Sequence, residues 1–327
     1  MAKTVRILSI DGGGIRGIIP ATLLAALEKR SGKPIAESFD LIAGTSTGGI
    51  LALALAKPGA AGKPEYTAEQ IIDLYFKEGS KIFPDLFFHK LSDLFEEKYP
   101  SSGIEGVLDS YFGGAMLSEA LTNVLVTSYE IERRMPFFFR SIRAKADAAY
   151  NFPMKRVARA TSAAPTYFEP LKLETPAGDD YYGLIDGGVF ANNPAMCAYV
   201  DARRMFPDAT DYLIVSVGTG SLIKRLPVED AQRWGLVKWA RPILDIMFDG
   251  VSATVDHQMR ELFPTEAGVK RYYRFQIDLQ PQNEDMDNTA PENLRSLKLL
   301  GEQLVRNCGD ELNDIAARLK GLAAAAP

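Results

Sequence analysis

Phe39-Asp40-Leu41-Ile42-Ala43-Gly44-Thr45-Ser46-Thr47-Gly48-Gly49-Ile50-Leu51-Ala52-Leu53-Ala54-Leu55-Ala56 is the stretch whose reading decides the fold. Residues 39–43 form a short apolar run of strand length, and 48–56 read as an apolar helix. The small and hydroxylated residues 44–47 between them read as a bend. A strand turned sharply into a helix is the repeating unit of an α/β sheet. The N-terminus repeats the unit. Residues 5–10 are a compact strand, 11–17 a glycine turn, and 20–30 a helix with Pro20 at its start and Gly32 just past its end. Further along, Thr67 reads as a helix N-cap with Gln70 at the capping-box position. Residues 122–128 and 135–141 are two β runs, and 184–185, 212–217 and 271–277 supply further strands. Over 290–320, Leu294, Leu297, Leu300, Leu304, Leu312 and Ile315 recur at helical spacing and predict a helix packed on the sheet. No repeat, low-complexity tract or Pro/Gly/Ser linker divides the chain. One domain is expected over 1–327, with a helical lid or regulatory excursion at 222–265.

Composition narrows the function classes. The chain has 327 residues, 46% hydrophobic and 24% charged, an ordinary globular balance that excludes a disordered, fibrous or disulfide-stapled protein. Its net charge is −5 and its pI about 5.3, so no global basic field attracts a nucleic acid polymer. Cys197 and Cys308 are the two cysteines and lack metal-ligand spacing, which fits a reducing compartment. The N-terminal apolar run stops at Asp11, too short for a signal core. The most apolar window, residues 41–56, holds three hydroxyls and three glycines in 16 residues and does not suit a membrane span. The chain reads as soluble and cytoplasmic. His89 and His257 are the two histidines, so any mechanism needing an imidazole must use one of them.

Three motifs carry chemistry. Gly44-Thr45-Ser46-Thr47-Gly48 is a G-x-S-x-G between a strand and a helix, where a sharp turn lifts the serine Oγ clear of the sheet. Gly44 and Gly48 let the backbone close without Cβ clashes, and the helix N-terminus favours developing negative charge. As a bare pentapeptide the signal is common; its strand–turn–helix setting makes it informative. Asp11-Gly12-Gly13-Gly14-Ile15-Arg16-Gly17 can turn successive N–H groups into one concavity, a nest for an anion such as a tetrahedral oxyanion. The same letters fit the dinucleotide fingerprint Gly12-x-Gly14-x-x-Gly17. That reading needs an acidic residue at the end of the second strand, whereas Asp40 opens that strand. Asp186-Gly187-Gly188 is on its own an ordinary turn. The shortage of histidine gives it weight, because a carboxylate held at a fixed turn can replace an imidazole as the base for Ser46. Aspartate, with an ordinary pKa of about 3.9, needs close positioning and partial desolvation for that task.

These motifs in this order resemble the patatin-like phospholipases. The likeness extends to Leu121-Thr122-Asn123-Val124, Thr127-Ser128-Tyr129-Glu130, and Ala160-Thr161-Ser162-Ala163-Ala164-Pro165-Thr166-Tyr167-Phe168. It continues through Asp186-Gly187-Gly188-Val189-Phe190-Ala191-Asn192-Asn193-Pro194 and Val215-Ser216-Val217-Gly218-Thr219-Gly220, and residues 288–304 look like the family's closing helix. The resemblance spans most of 5–305 and weakens at about 79–110 and 222–270. It implies a three-layer α/β/α fold with a central, mostly parallel sheet. It also implies a Ser46 nucleophile, an Asp186 base, and an oxyanion hole at Gly12, Gly13 and Gly14 with Arg16 beside it, supported by Gly44, Gly48, Gly187 and Gly188. It implies no metal or organic cofactor. The chain looks most similar to compact bacterial members, some of which are switched on by a cyclic dinucleotide in phage defence. Arg203, Arg204, Lys224 and Arg225 are the candidate phosphate contacts that follow from that likeness.

The expectation is an acyl hydrolase acting on phospholipids or other lipid esters, with transient contact to a membrane surface. Trp234 and Trp239 lie among cations and suit either a lipid surface or a helix packed over the core. The residues 82–95 are a second aromatic candidate for covering an acyl groove. Three rivals remain. One is a nucleotide-binding module on the Gly12–Gly17 turn. Another is an α/β-hydrolase triad, since Ser46, Asp186 and His257 follow its chain order. The last is a catalytically silent interaction protein.

Overall fold

β1 (Thr4–Ile10) runs parallel to β2 (Leu41–Thr45) on one side and to β7 (Asp211–Val217) on the other, with Ile7 level with Leu41 and Ile214. These strands anchor an eight-stranded sheet in a computed structural model that describes residues 4–83, 99–223 and 225–321. β3 (Asn123–Glu130) continues the parallel run beside β2, and β8 (Tyr272–Phe275) does so beside β7. β4 (Met135–Arg140), β5 (Leu171–Glu174) and β6 (Tyr181–Asp186) are antiparallel additions on the β3 side.

Alternation along the pleat sorts the apolar side chains onto two faces. Leu8, Ile10, Ile42, Val124, Val126 and Val215 join the larger core, beneath the helices Ile18–Ser31, Thr47–Ala56 and Ala68–Ile82. Val5, Ile7, Leu41, Ala43, Leu125 and Ile214 face the other way, onto Ala195–Met205 and Met259 of the long helix Leu236–Leu262. The result is a three-layer α/β/α sandwich around a mostly parallel sheet.

Several boundaries differ from the sequence expectations, each for a local reason. The first helix starts at Ile18, so Pro20 falls within the first turn, where its missing N–H breaks no bond. The predicted helix over 290–320 is two helices, Pro291–Asn307 and Gly309–Leu319, because Asn307 and Gly309 flank Cys308 with poor helix formers. β5 escaped notice because its buried–exposed alternation covers only four residues. Within 222–265 the described residues form the helices Val228–Ala231 and Leu236–Leu262, the latter spanning 27 residues across Pro242. Trp234 and Trp239 are half-buried and pack edge-to-face on each other, ring centroids 5.2 Å apart, outside both cores. His89, Lys224 and most of 82–95 lie outside the described residues. Among the described residues no helix is long and apolar enough to cross a membrane.

One feature of the sheet places the site. Val126 pairs with Gly44 of β2, but two residues on Ser128 pairs with Asp186 of β6, while β4 occupies the opposite edge of β3 from Leu125 to Glu130. β2 and β6 therefore meet head to head along one edge of β3. The chain leaves β2 at Thr45, directly before Ser46, and β6 ends at Asp186.

Candidate active site

Ser46 holds φ 54° and ψ −125°, a left-handed conformation that costs a side-chain-bearing residue about 1–3 kcal/mol. Its surroundings enforce the turn. The Ser46 N–H donates to Thr161 Oγ1 at 2.8 Å. The preceding Thr45 Oγ1 donates to the Ala191 carbonyl at 2.6 Å and sits 2.7 Å from Thr127 Oγ1. The following helix presses so closely on β1 that a Cβ on Gly48 would meet the Ile10 carbonyl oxygen at 2.2 Å. Ser46 thus stands at the mouth of a helix N-terminus with its Oγ clear of the sheet.

Asp186 is 1% exposed and lines the same pocket as Ser46, whose hydroxyl favours its ionised form. The Gly188 N–H donates to Asp186 Oδ1 at 2.7 Å. Burial pushes the carboxyl up to about 7, and the Ser46 hydroxyl and the Gly188 N–H only partly offset the desolvation. A carboxylate of that basicity suits proton transfer near neutral pH far better than an ordinary one. On a soluble short-chain ester, kcat/KM should rise about tenfold per pH unit below 7 and level off above it, as the free base appears. A profile that stays flat down to pH 4 would show that Asp186 is not the titrating base.

The glycine turn is built to aim two amides. The Gly12 N–H is committed to the Asn192 carbonyl at 3.1 Å, so it supplies no donor, in contrast to the sequence expectation. The Gly12 carbonyl accepts from Thr219 Oγ1 at 2.7 Å, and the Gly13 carbonyl accepts from Arg16 Nε at 3.2 Å. In a planar trans peptide the next N–H points opposite to the carbonyl. Thr219 and Arg16 therefore turn the Gly13 and Gly14 N–H groups the other way, and among the described residues neither has an acceptor. Gly14 sits at φ 57°, where a Cβ would also strike the Met286 carbonyl oxygen at 2.2 Å. Arg16 itself is 5% exposed and does not line the pocket at Ser46; it positions Gly13.

Ser46 and Asp186 lie in a pocket with about 650 Å³ of empty space. Its walls are apolar, including Ile82, Ile104, Tyr167, Phe168, Phe248 and Met286. The space suits an acyl chain, with polar groups confined to the end that holds the serine. Among the described residues no group of three or more His, Cys, Asp or Glu is placed to hold a metal ion.

Residues 8–199 match the sequence model of the patatin-like phospholipases, a span that contains the glycine turn, Ser46 and Asp186. The chain belongs to the patatin-like phospholipase family. It is 34% identical to patatin-like protein 4 of Arabidopsis thaliana, over 92% of this chain and 83% of that protein. It is 33% identical to patatin-like protein 2 of Oryza sativa subsp. indica, over 93% and 84%. It is also 31% identical to "Probable inactive patatin-3-Kuras 1" of Solanum tuberosum, over 96% and 89%. Membership of a patatin-like phospholipase family supports a lipid acyl hydrolase activity. A relative named as inactive shows that turnover has to be argued from the site.

The rival readings fare differently in the structure. His257 is exposed on Leu236–Leu262 and does not line the pocket with Asp186. Asp40 lies at the wrong end of β2 for a ribose and is clamped by Arg6 at 2.9 Å. Arg203 stands over the Tyr199 ring on Ala195–Met205 and is followed there by Arg204, whereas Arg225 belongs to the excursion. Sequence reasoning missed Thr219, Phe248 and Met286. Thr219 lay in the 215–220 segment that carried the family resemblance but had no role assigned there, whereas Phe248 and Met286 carried no signal, since distance from Ser46 along the chain says nothing about contact.

Proposed function

We propose that this patatin-like protein is a serine acyl hydrolase of phospholipids or other lipid esters, working through Ser46 and Asp186. The observation that carries the reading is that Ser46, held at a strained strand-to-helix turn, and the buried Asp186 carboxyl line the same apolar pocket. Ser46 Oγ attacks the ester carbonyl as Asp186 takes its proton. The carbonyl oxygen gathers negative charge against the Gly13 and Gly14 amides and the helix N-terminus. The alkoxide leaves with the proton from Asp186, and the acyl chain remains on Ser46 in the apolar pocket. Asp186 then activates a water that releases the fatty acid. No step calls for a cofactor.

A fluorophosphonate probe should label the wild type at Ser46 and label His257→Gln at a similar rate, while leaving Asp186→Asn almost unlabelled. Equal labelling of Asp186→Asn would remove the dyad. No labelling of the wild type would favour a silent interaction protein or a nucleotide-binding module.

Contact with a lipid surface is the second part of the proposal. Leu226, Val228, Leu236, Ile243, Ile246 and Met247 are exposed on the excursion, Leu236 to 93%. The same helix contributes Phe248 to the pocket wall, so the apolar belt adjoins the pocket. Such a belt suits the headgroup–acyl boundary of a bilayer. Liposomes should raise turnover of a lipid ester severalfold, and Leu236→Glu with Ile243→Glu should abolish that gain while sparing a soluble ester. A gain produced by a cyclic dinucleotide instead would favour nucleotide control.

A further inference from the structure

The proposed reaction needs a second nucleophile held in place after the acyl chain has filled the apolar pocket. Beyond the glycine turn lies another cavity, with about 1060 Å³ of empty space, bordered by the polar side chains of Arg16, Thr219, Ser252 and Arg274. Asn192 stands in the wall between the two cavities and lines both. Its Nδ2 donates to Ser252 Oγ at 3.1 Å, toward the polar cavity. Its Oδ1 lies on the catalytic side. A Cβ on Gly188, besides meeting Phe248 Cε1 at 2.9 Å, would lie 3.1 Å from Asp186 Oδ1 and 3.2 Å from Asn192 Oδ1. One on Gly12 would lie 2.4 Å from Asn192 Oδ1 and 3.2 Å from Ser46 Cβ, so the amide oxygen is near both Asp186 and Ser46. Asn192 is 7% exposed, and its Oδ1 has no hydrogen-bond donor among the described residues. A buried acceptor left unpaired is costly, and here it lies beside the group that must deprotonate water.

We propose that Asn192 Oδ1 and the Asp186 carboxylate together hold the hydrolytic water, which makes Asn192 a catalytic residue of the second half-reaction. The inference rests on the Ser46–Asp186 reading. Two acceptors take the two hydrogens of one water and leave an oxygen lone pair aimed at the acyl carbonyl. As the water oxygen bonds to the carbonyl carbon, one proton passes to Asp186, and the carbonyl oxygen takes the negative charge against Gly13 and Gly14. The adduct collapses by breaking the bond to Ser46 Oγ, which recovers the proton from Asp186. The second hydrogen departs with the fatty acid.

An alcohol has a single O–H and needs Asp186 alone, so water and methanol should respond differently to loss of Asn192. The test turns over a p-nitrophenyl ester in aqueous methanol and measures free acid against methyl ester. In Asn192→Leu the acid-to-ester ratio should fall about tenfold, the effect of one well-placed hydrogen bond. A p-nitrophenol burst should precede the slowed steady state, with fluorophosphonate labelling of Ser46 retained. Asn192→Asp, which keeps an acceptor, should restore the ratio, and Asn192→Ala carries the same reading if the leucine variant does not fold. An unchanged ratio, or equal loss of both products with labelling intact, would overturn the inference. Failure of the wild type to label at Ser46 would instead overturn the dyad on which it rests.

Discussion

Ser46→Ala is expected to lower kcat by about 10⁴-fold or more, and Asp186→Asn by a comparable factor, with the double variant hardly worse than either. In the proposed dyad the two side chains share one proton, so removing either ends the same step. The variants should part company in stability. The folded Asp186 carboxyl holds its proton up to about pH 7 because of its burial, whereas in the unfolded chain it ionises near its ordinary value of about 3.9. Folding therefore takes up a proton between those values. The contribution of Asp186 to stability is full below about pH 4 and is lost as pH rises through 7. Asparagine has no charge to bury, so Asp186→Asn should melt several degrees above the wild type at pH 8 and close to it at pH 4. Thermal melts at the two pH values, beside ester turnover, check both halves. An additive double variant would show that the residues act separately.

Gly13→Ala is expected to lower kcat by about 10²–10³-fold while KM changes little, because in the proposed mechanism the amides it disturbs bind charge that exists only in the transition state. The reason is steric. A Cβ on Gly13 would come within 2.2 Å of Thr219 Oγ1, the atom that donates to the Gly12 carbonyl. Either the hydroxyl moves and releases the Gly12–Gly13 peptide, or the turn itself shifts, and both misdirect the Gly13 N–H. Thr219→Val removes that hydroxyl while keeping the side chain's shape, and should cause a smaller loss of the same kind. Arg16→Ala should also cost less than Gly13→Ala, since the Arg16 N–H still reaches the Gly13 carbonyl at 3.2 Å. Michaelis–Menten kinetics on a soluble ester decide the matter. A raised KM with kcat untouched would make the turn a ground-state binding loop.

By itself the sequence determined the parts whose physics is local. Short apolar runs broken by glycine turns and followed by helical spacing are strand–turn–helix units, because backbone sterics and pleat periodicity act over a few residues. Gly44 and Gly48 could be read as sites of close approach, and Ser46 as the residue thrown outward by the turn. The scarcity of histidine already pointed to a carboxylate base. What only the tertiary structure decided depends on pairing between distant segments. Ser46 and Asp186 meet because β6 ends against β3 where β2 stops, a register that no single segment encodes. Enclosure by those same elements raises the Asp186 carboxyl to about 7, a desolvation absent from an isolated Asp-Gly-Gly. The split of the glycine turn into a committed Gly12 N–H and two amides without an acceptor among the described residues arises in the same way, since Asn192, Thr219 and Arg16 each settle one peptide's direction only when the chain has closed around the turn.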